Sequence, residues 1–265
     1  MRVWFFTLII CCSAPAAIAE VLRDIRYGDH PRQVYDLYLP KTATDRLYVI
    51  IHGGGWFQGD KSGADIWKDK FAHWGAKGIA LAALNYRLVP EVNPFQQAED
   101  IRQAIQHFED LNQFQDIVLL GHSAGAHLAL LAQTHSGFQS RFGPPEWSAT
   151  IALDTSAIDV VGIMSGTPYR TWRHAFGQVA EAWSNYAPLT QLNDAGPPIL
   201  IVCSSLRELP CKQGEQLKQK AKSVGQDVDV FSVQMEHLQI NEAIGVDQLF
   251  TARLDRWVLN ALTLK

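Results

Sequence analysis

Charge of one sign is concentrated nowhere in this sequence. Its 265 residues carry 23 Lys and Arg against 27 Asp and Glu, a formal net charge of −4, and no basic block appears. That argues against nucleic acid or an anionic membrane surface as the main partner. Metal-ligand spacing is missing as well. None of the nine histidines forms an H-x-x-x-H pair and no C-x-x-C occurs, so neither a metal nor another cofactor is expected. No apolar run is long enough to span a bilayer comfortably, and no stable membrane anchor is expected. Cysteine is scarce: four residues, two of them at Cys11 and Cys12.

The first 19 residues read as a leader. Arg2 supplies a positive start, residues 3–10 are apolar, and Ala17-Ile18-Ala19 is an A-x-A cleavage site before Glu20. Neither Cys11 nor Cys12 follows a residue of the lipoprotein-box kind. The reading is a signal peptide over residues 1–19 and export to a periplasm or the outside. The mature chain would then keep only Cys203 and Cys211, a close pair in an oxidising compartment and hence an expected disulfide.

From residue 20 onward, apolar runs alternate with helical patterns, the signature of a mostly parallel sheet with helices on both faces. Residues 22–27 and 34–39 read as an opening hairpin. Further strands are expected at 47–52, 79–85, 117–121, 160–165, 199–204 and 228–233. Helices are expected at about 64–77, 95–112, 124–134, 213–224 and 247–262. Nothing suggests a linker, so residues 20–265 read as one α/β domain. The stretch 166–197 breaks the rhythm with Tyr169, Trp172, Phe176, Trp183 and Tyr186. Placed after a strand end, it reads as site wall or lid rather than core.

Two glycine motifs carry the chemistry. Gly121-His122-Ser123-Ala124-Gly125 follows an apolar strand run and opens a small-residue helix, the context in which G-x-S-x-G bends sharply and lifts its serine above the sheet edge. Upstream, His52-Gly53-Gly54-Gly55-Trp56 closes another strand and offers backbone N–H donors for an oxyanion. The expected donors are Gly54, Gly55 and Ala124, and Trp56 with Trp172 and Trp183 would line the substrate site. A serine needs a neutral imidazole as base, and that imidazole needs a carboxylate to fix its tautomer. Chain order is Ser, then acid, then His. His237, just after the strand at 228–233, is the expected base. The acid should follow the strand at 199–204, where Glu208 is the carboxylate in the loop. Glu236, beside His237, and Asp154 and Asp159, flanking the run at 160–165, are the alternatives.

These stretches resemble the α/β-hydrolase superfamily and, more narrowly, the H-G-G-G serine esterases of the hormone-sensitive-lipase branch with their arylformamidase and feruloyl or acetyl-xylan esterase relatives. Tyr35–Pro40, Asn85-Tyr86-Arg87-Leu88 and His237-Leu238-Gln239-Ile240-Asn241 extend the likeness over almost the whole mature chain. The resemblance implies an α/β-hydrolase fold, scaffold roles for Asn85 to Leu88 and Asp100, and an acyl-enzyme esterase acting on small or aryl esters. An arylformamidase-like amidase is the alternative within enzymes, and a catalytically inactive binding protein the alternative outside them. The loop after Ser204 departs from the family, which carries Gly-x-x-Asp there.

Overall fold

The computed structural model describes residues 18–42 and 45–263. Strands β1 (Ile18–Arg26) and β2 (Val34–Pro40) form the opening antiparallel pair. Of the leader expected over residues 1–19, all but Ile18 and Ala19 lies outside the described residues. Those two begin β1, where Ile18 stands opposite Pro40. Next come β3 (Arg46–Ile51), α1 (Ala64–Gly75), β4 (Ala80–Leu84), α2 (Pro94–Leu111), β5 (Asp116–His122) and α3 (Ala124–Thr134). A short α4 (Gln139–Phe142) leads to β6 (Ala149–Leu153) and α5 (Val160–Ser165). Short helices α6 (Arg170–Phe176), α7 (Ala180–Trp183) and α8 (Pro188–Gln191) occupy the aromatic stretch. The chain ends with β7 (Ile199–Ser204), α9 (Glu208–Ala221), β8 (Val228–Val233), α10 (His237–Glu242) and α11 (Gln248–Thr263).

All eight strands join one sheet in the order β1-β2-β4-β3-β5-β6-β7-β8, with β2 antiparallel to both neighbours and β4 through β8 parallel. The inner strands are apolar on both faces because helices cover both. Leu47, Val49 and Ile51 of β3 face the core shared with α2 and α3, while Tyr48 and Ile50 face the core under α1 and α11. The sheet therefore has a single edge where the C-terminal ends of β3, β5, β6, β7 and β8 come together.

One strand differs from the sequence expectation. Residues 160–165 are helix, not strand: Asp159 accepts a hydrogen bond from the Gly162 N–H at 2.9 Å and caps that turn. The strand is instead Ala149–Leu153, five fully buried residues between β5 and β7. This moves Asp154 from the wrong end of an expected strand to the C-terminal end of a real one.

Candidate active site

The elbow is a backbone construction. Ser123 lies between β5 and α3 with φ 56° and ψ −115°, a left-handed conformation that L side chains rarely adopt. Only glycine permits the approach on either side of it. A Cβ on Gly121 would meet the Gly125 carbonyl oxygen at 2.3 Å, and one on Gly125 would meet that of Ile51 at 2.2 Å. The H-G-G-G turn packs onto this elbow, so that a Cβ on Gly53 would stand 3.3 Å from Ser123 Cβ. The Gly54 carbonyl accepts from the N–H groups of Phe57 and Gln58, which pins the turn.

Across the strand ends, side chains complete a relay. Ser123 Oγ is 3.0 Å from His237 Nε2, and His237 Nδ1 is 2.7 Å from Asp154 Oδ2. An ionised carboxylate only accepts, so Nδ1 carries the ring proton and Nε2 is free to accept from the serine hydroxyl. Asp154 is fully buried. Burial pushes its carboxyl up, but the hydrogen bonds from His237 and from the Ser204 N–H, with the Arg207 guanidinium, outweigh it and hold Asp154 below the ordinary carboxylate value. Ser204 ties the Asp154 carboxylate to the loop before His237: its N–H donates to Asp154 Oδ1 at 2.8 Å and its hydroxyl to the Met235 carbonyl at 2.6 Å.

Glu208, the expected acid, is not at His237. It is the exposed first residue of α9, and among the described residues its side chain forms no hydrogen bond or ion pair. Position in the loop favoured it, yet the loop turns into helix at that residue and sends the carboxylate to solvent. Glu236 and Asp159 are also accounted for. Each caps a helix, Glu236 in a reciprocal capping box with Gln239 at the start of α10. Cys203 and Cys211 are joined in a disulfide that brackets this loop.

Ser123 opens into a cleft of about 600 Å³. Gly54 and Gly55 line it together with Phe57, Asp60, Asp65, Thr171 and Leu238. The expected tryptophans do not. Trp56 is 4% exposed and turned into the core at φ 70°, its indole N–H donating to His127 Nδ1 at 3.0 Å. Trp172 lines a different cleft, of about 380 Å³, beside Asp159, Tyr169 and Lys212. Trp183 is half-buried against the core, with its indole nitrogen unpartnered among the described residues. Only Thr171 of the stretch 166–197 reaches the Ser123 cleft.

Three further histidines surround the site, all neutral. Burial lowers His52, His122 and His127 to about 4 each. His122 Nε2–H donates to the His237 carbonyl at 2.9 Å, steadying the backbone that carries the His237 imidazole. No described group of His, Cys, Asp and Glu side chains could hold a metal ion, and no described helix is long and apolar enough to cross a membrane.

A mostly parallel sheet with a serine elbow after β5 and an imidazole after β8 defines an α/β hydrolase. The BD-FAE family matches residues 35–221, and the chain belongs to that family. It is similar to a probable isoprenylcysteine alpha-carbonyl methylesterase of Oryza sativa subsp. japonica, 32% identical over 142 residues that cover 49% of this chain and 33% of the relative. The isoprenylcysteine alpha-carbonyl methylesterase of Arabidopsis thaliana is 26% identical over 236 residues, 78% of this chain and 53% of the relative. A kynurenine formamidase of Salmo salar is 27% identical over 117 residues, covering 43% and 39%. The chain thus spans about half the length of these relatives or less. A truncated carbohydrate esterase from gut microbiota superimposes with a TM-score of 0.79 at 19% identity, covering 94% of this chain and 99% of that one. Esterase B from Lactobacillus rhamnosis gives 0.74 at 19% identity, covering 92% and 86%. At such identity the likeness is one of fold.

Proposed function

We propose that this chain is a serine carboxylesterase of small or aryl esters, with Ser123 as nucleophile, His237 as general base and Asp154 as the acid that orients it. The continuous Ser123–His237–Asp154 hydrogen-bonded chain carries the reading. In it, Ser123 Oγ attacks the ester carbonyl carbon as its proton passes to His237 Nε2. The tetrahedral oxyanion is received by the N–H groups of Gly54, Gly55 and Ala124, each such donor contributing about 3 kcal/mol of transition-state stabilisation. Collapse expels the alkoxide, protonated by the imidazolium, and leaves an acyl group on Ser123. Water deprotonated by His237 then releases the carboxylic acid.

The cleft argues for compact, polar substrates. Gln58, Asp60, Ser62 and Asp65 line it, with Phe57, Ile66 and Leu238 as its larger apolar side chains. A short acyl group or an aryl ring fits against these apolar side chains, and hydroxyl-bearing alcohols suit the carboxylates. The formamidase relatives favour activated amides as a second reading, because the same machinery cleaves them. Export, with cleavage after Ala19, belongs to the same proposal. It rests on the leader pattern, and N-terminal sequencing of the mature protein tests it.

A p-nitrophenyl ester series from acetyl to decanoyl, run beside N-formylkynurenine, tests the activity. Turnover that falls with chain length supports a small-ester hydrolase, while faster turnover of N-formylkynurenine installs the amidase. A fluorophosphonate that fails to label Ser123 in the purified protein sinks both in favour of an inactive binding protein.

A further inference from the structure

The oxygen of Asp154 that faces His237 has a second donor. Arg207 Nη1 contacts the same Oδ2 in a short ion pair, and stands 2.8 Å from His237 Nδ1. Its Nη2 donates to Ser156 Oγ at 3.1 Å. The guanidinium therefore spans the turn after β6 and meets the acid and base at their junction. Asp154 has no contact with water, whereas the Arg207 side chain is about one-third exposed, so the charge is brought in from the rim. Arg207 itself is held at short range. Its N–H donates to the Ser204 carbonyl at 3.2 Å, and the Cys203–Cys211 disulfide closes the loop around it.

We infer that Arg207 is a positioning residue for the hydrolytic relay, locking the Asp154 carboxylate in the rotamer that presents Oδ2 to His237 Nδ1. The inference rests on the serine-esterase reading above. Without Arg207, the carboxylate keeps one backbone donor, the Ser204 N–H, and the imidazole. Two donors, from the end of β7 and the start of α10, leave rotation about its terminal torsion less constrained than three. Loss of that alignment lets the imidazole take the tautomer that cannot accept the serine proton. The planar fork matters, since it reaches Oδ2 and Ser156 Oγ together, which a lysine ammonium does less well. Substrate binding draws on the other side of the cleft, so the effect falls on kcat rather than KM.

The experiment compares wild type, Arg207→Ala, Arg207→Lys, Asp154→Asn and the double variant Arg207→Ala/Asp154→Asn on one p-nitrophenyl ester, with folding checked by circular dichroism. Arg207→Ala is expected to lower kcat by about tenfold or more with KM within about threefold, and Arg207→Lys to recover part of the loss. Guanidinium chloride at a low, non-denaturing concentration should raise the turnover of Arg207→Ala, while equal sodium chloride should not. Because Arg207 acts through Asp154, the double variant should be no slower than Asp154→Asn alone. Wild-type kcat in Arg207→Ala overturns the inference. So does a slow, folded variant without guanidinium rescue, or a double variant whose losses multiply. Ser123→Ala in the same assay keeps the two readings apart. If it still turns over, the serine mechanism fails. If it is dead while Arg207→Ala matches wild type, only the role of Arg207 falls.

Discussion

The strand-end edge has two halves made by different means. Beneath β3 and β5 the site is built from main chain: a serine at positive φ, glycines that admit neighbouring carbonyls, and a turn of N–H donors. Beyond β6, β7 and β8 it is built from side chains that reach across: Asp154, Arg207 and His237 from three loops, with Ser204 between them. A main-chain construction demands glycine at fixed spacing, so it leaves a local motif. Side-chain reach makes no such demand. β6 and β7 are adjacent parallel strands, and a carboxylate at the end of either can approach the same imidazole. The two halves should thus fail in different ways.

The largest expected effect lies where the halves meet. Ser123→Ala should remain folded and lose at least about a thousandfold in turnover, as when a concerted unit loses its nucleophile. Initial rates on a p-nitrophenyl ester check it, and activity near wild type would dissolve the comparison. Next is the side-chain half alone. Asp154→Asn should cost about a hundredfold or more, because a neutral partner admits the wrong imidazole tautomer. Glu208→Gln should stay within about threefold of wild type, given an exposed carboxylate that touches nothing of the site. A reversal of those two results would return the acid to the loop after β7.

Acid should act on the main-chain half. His52, His122 and His127 sit there, lowered from 6.5 to about 4. Between those values the unfolded chain binds protons that the native state refuses, so stability falls as pH drops below about 6.5 and the loss levels off near 4. By pH 5 the loss should be on the order of 2 kcal/mol for each histidine. Urea midpoints measured at pH 7 and pH 5 check this, and equal midpoints would contradict it. Smaller than the three histidines together is the stability carried by the disulfide. Cys203 and Cys211 are eight residues apart, so Cys211→Ser should cost ~2–3 kcal/mol in the chain-entropy picture. Turnover should drop more than helix content does, because the loop carries Arg207. Thiol titration of the unfolded, unreduced mature protein, which lacks Cys11 and Cys12, reads the bridge directly: two reactive thiols per chain would remove it.

How much of this was legible follows from the same division. The alternation of strands and helices, the opening hairpin and both glycine motifs stand in the sequence, because each is a local pattern. The carboxylate that meets His237 was not legible for one traceable reason. Val160-Val161-Gly162-Ile163-Met164 is as apolar as a strand, while Ala149-Thr150-Ile151-Ala152-Leu153 is short and rich in small residues. With the strand placed at 160–165, Asp154 falls before its start, on the far edge of the sheet, and ranks only as an alternative behind Glu208. The Asp159 cap was the available signal, an Asp opening a helical turn. Trp56 misled differently. Its neighbours in sequence belong to the site, but its indole is claimed by His127, 71 residues away, and no local pattern encodes that partner.

That indole also bears on motion. Trp56 donates to His127, and His127 donates from its other nitrogen to the Tyr186 carbonyl at 2.7 Å, while Phe176 packs edge-on against both rings. Residues 176 and 186 of the aromatic stretch are therefore fastened to the floor beneath the H-G-G-G turn. Swinging the stretch away would expose Phe176, about 2–3 kcal/mol, and break the partly buried hydrogen bond from His127 to the Tyr186 carbonyl, about 1 kcal/mol more. The open form would then be held by fewer than about one molecule in a hundred. Hydrogen exchange of the Trp56 indole proton reports on this anchorage: it should lag far behind the exposed loops, its rate clocking how often the aromatic stretch lets go.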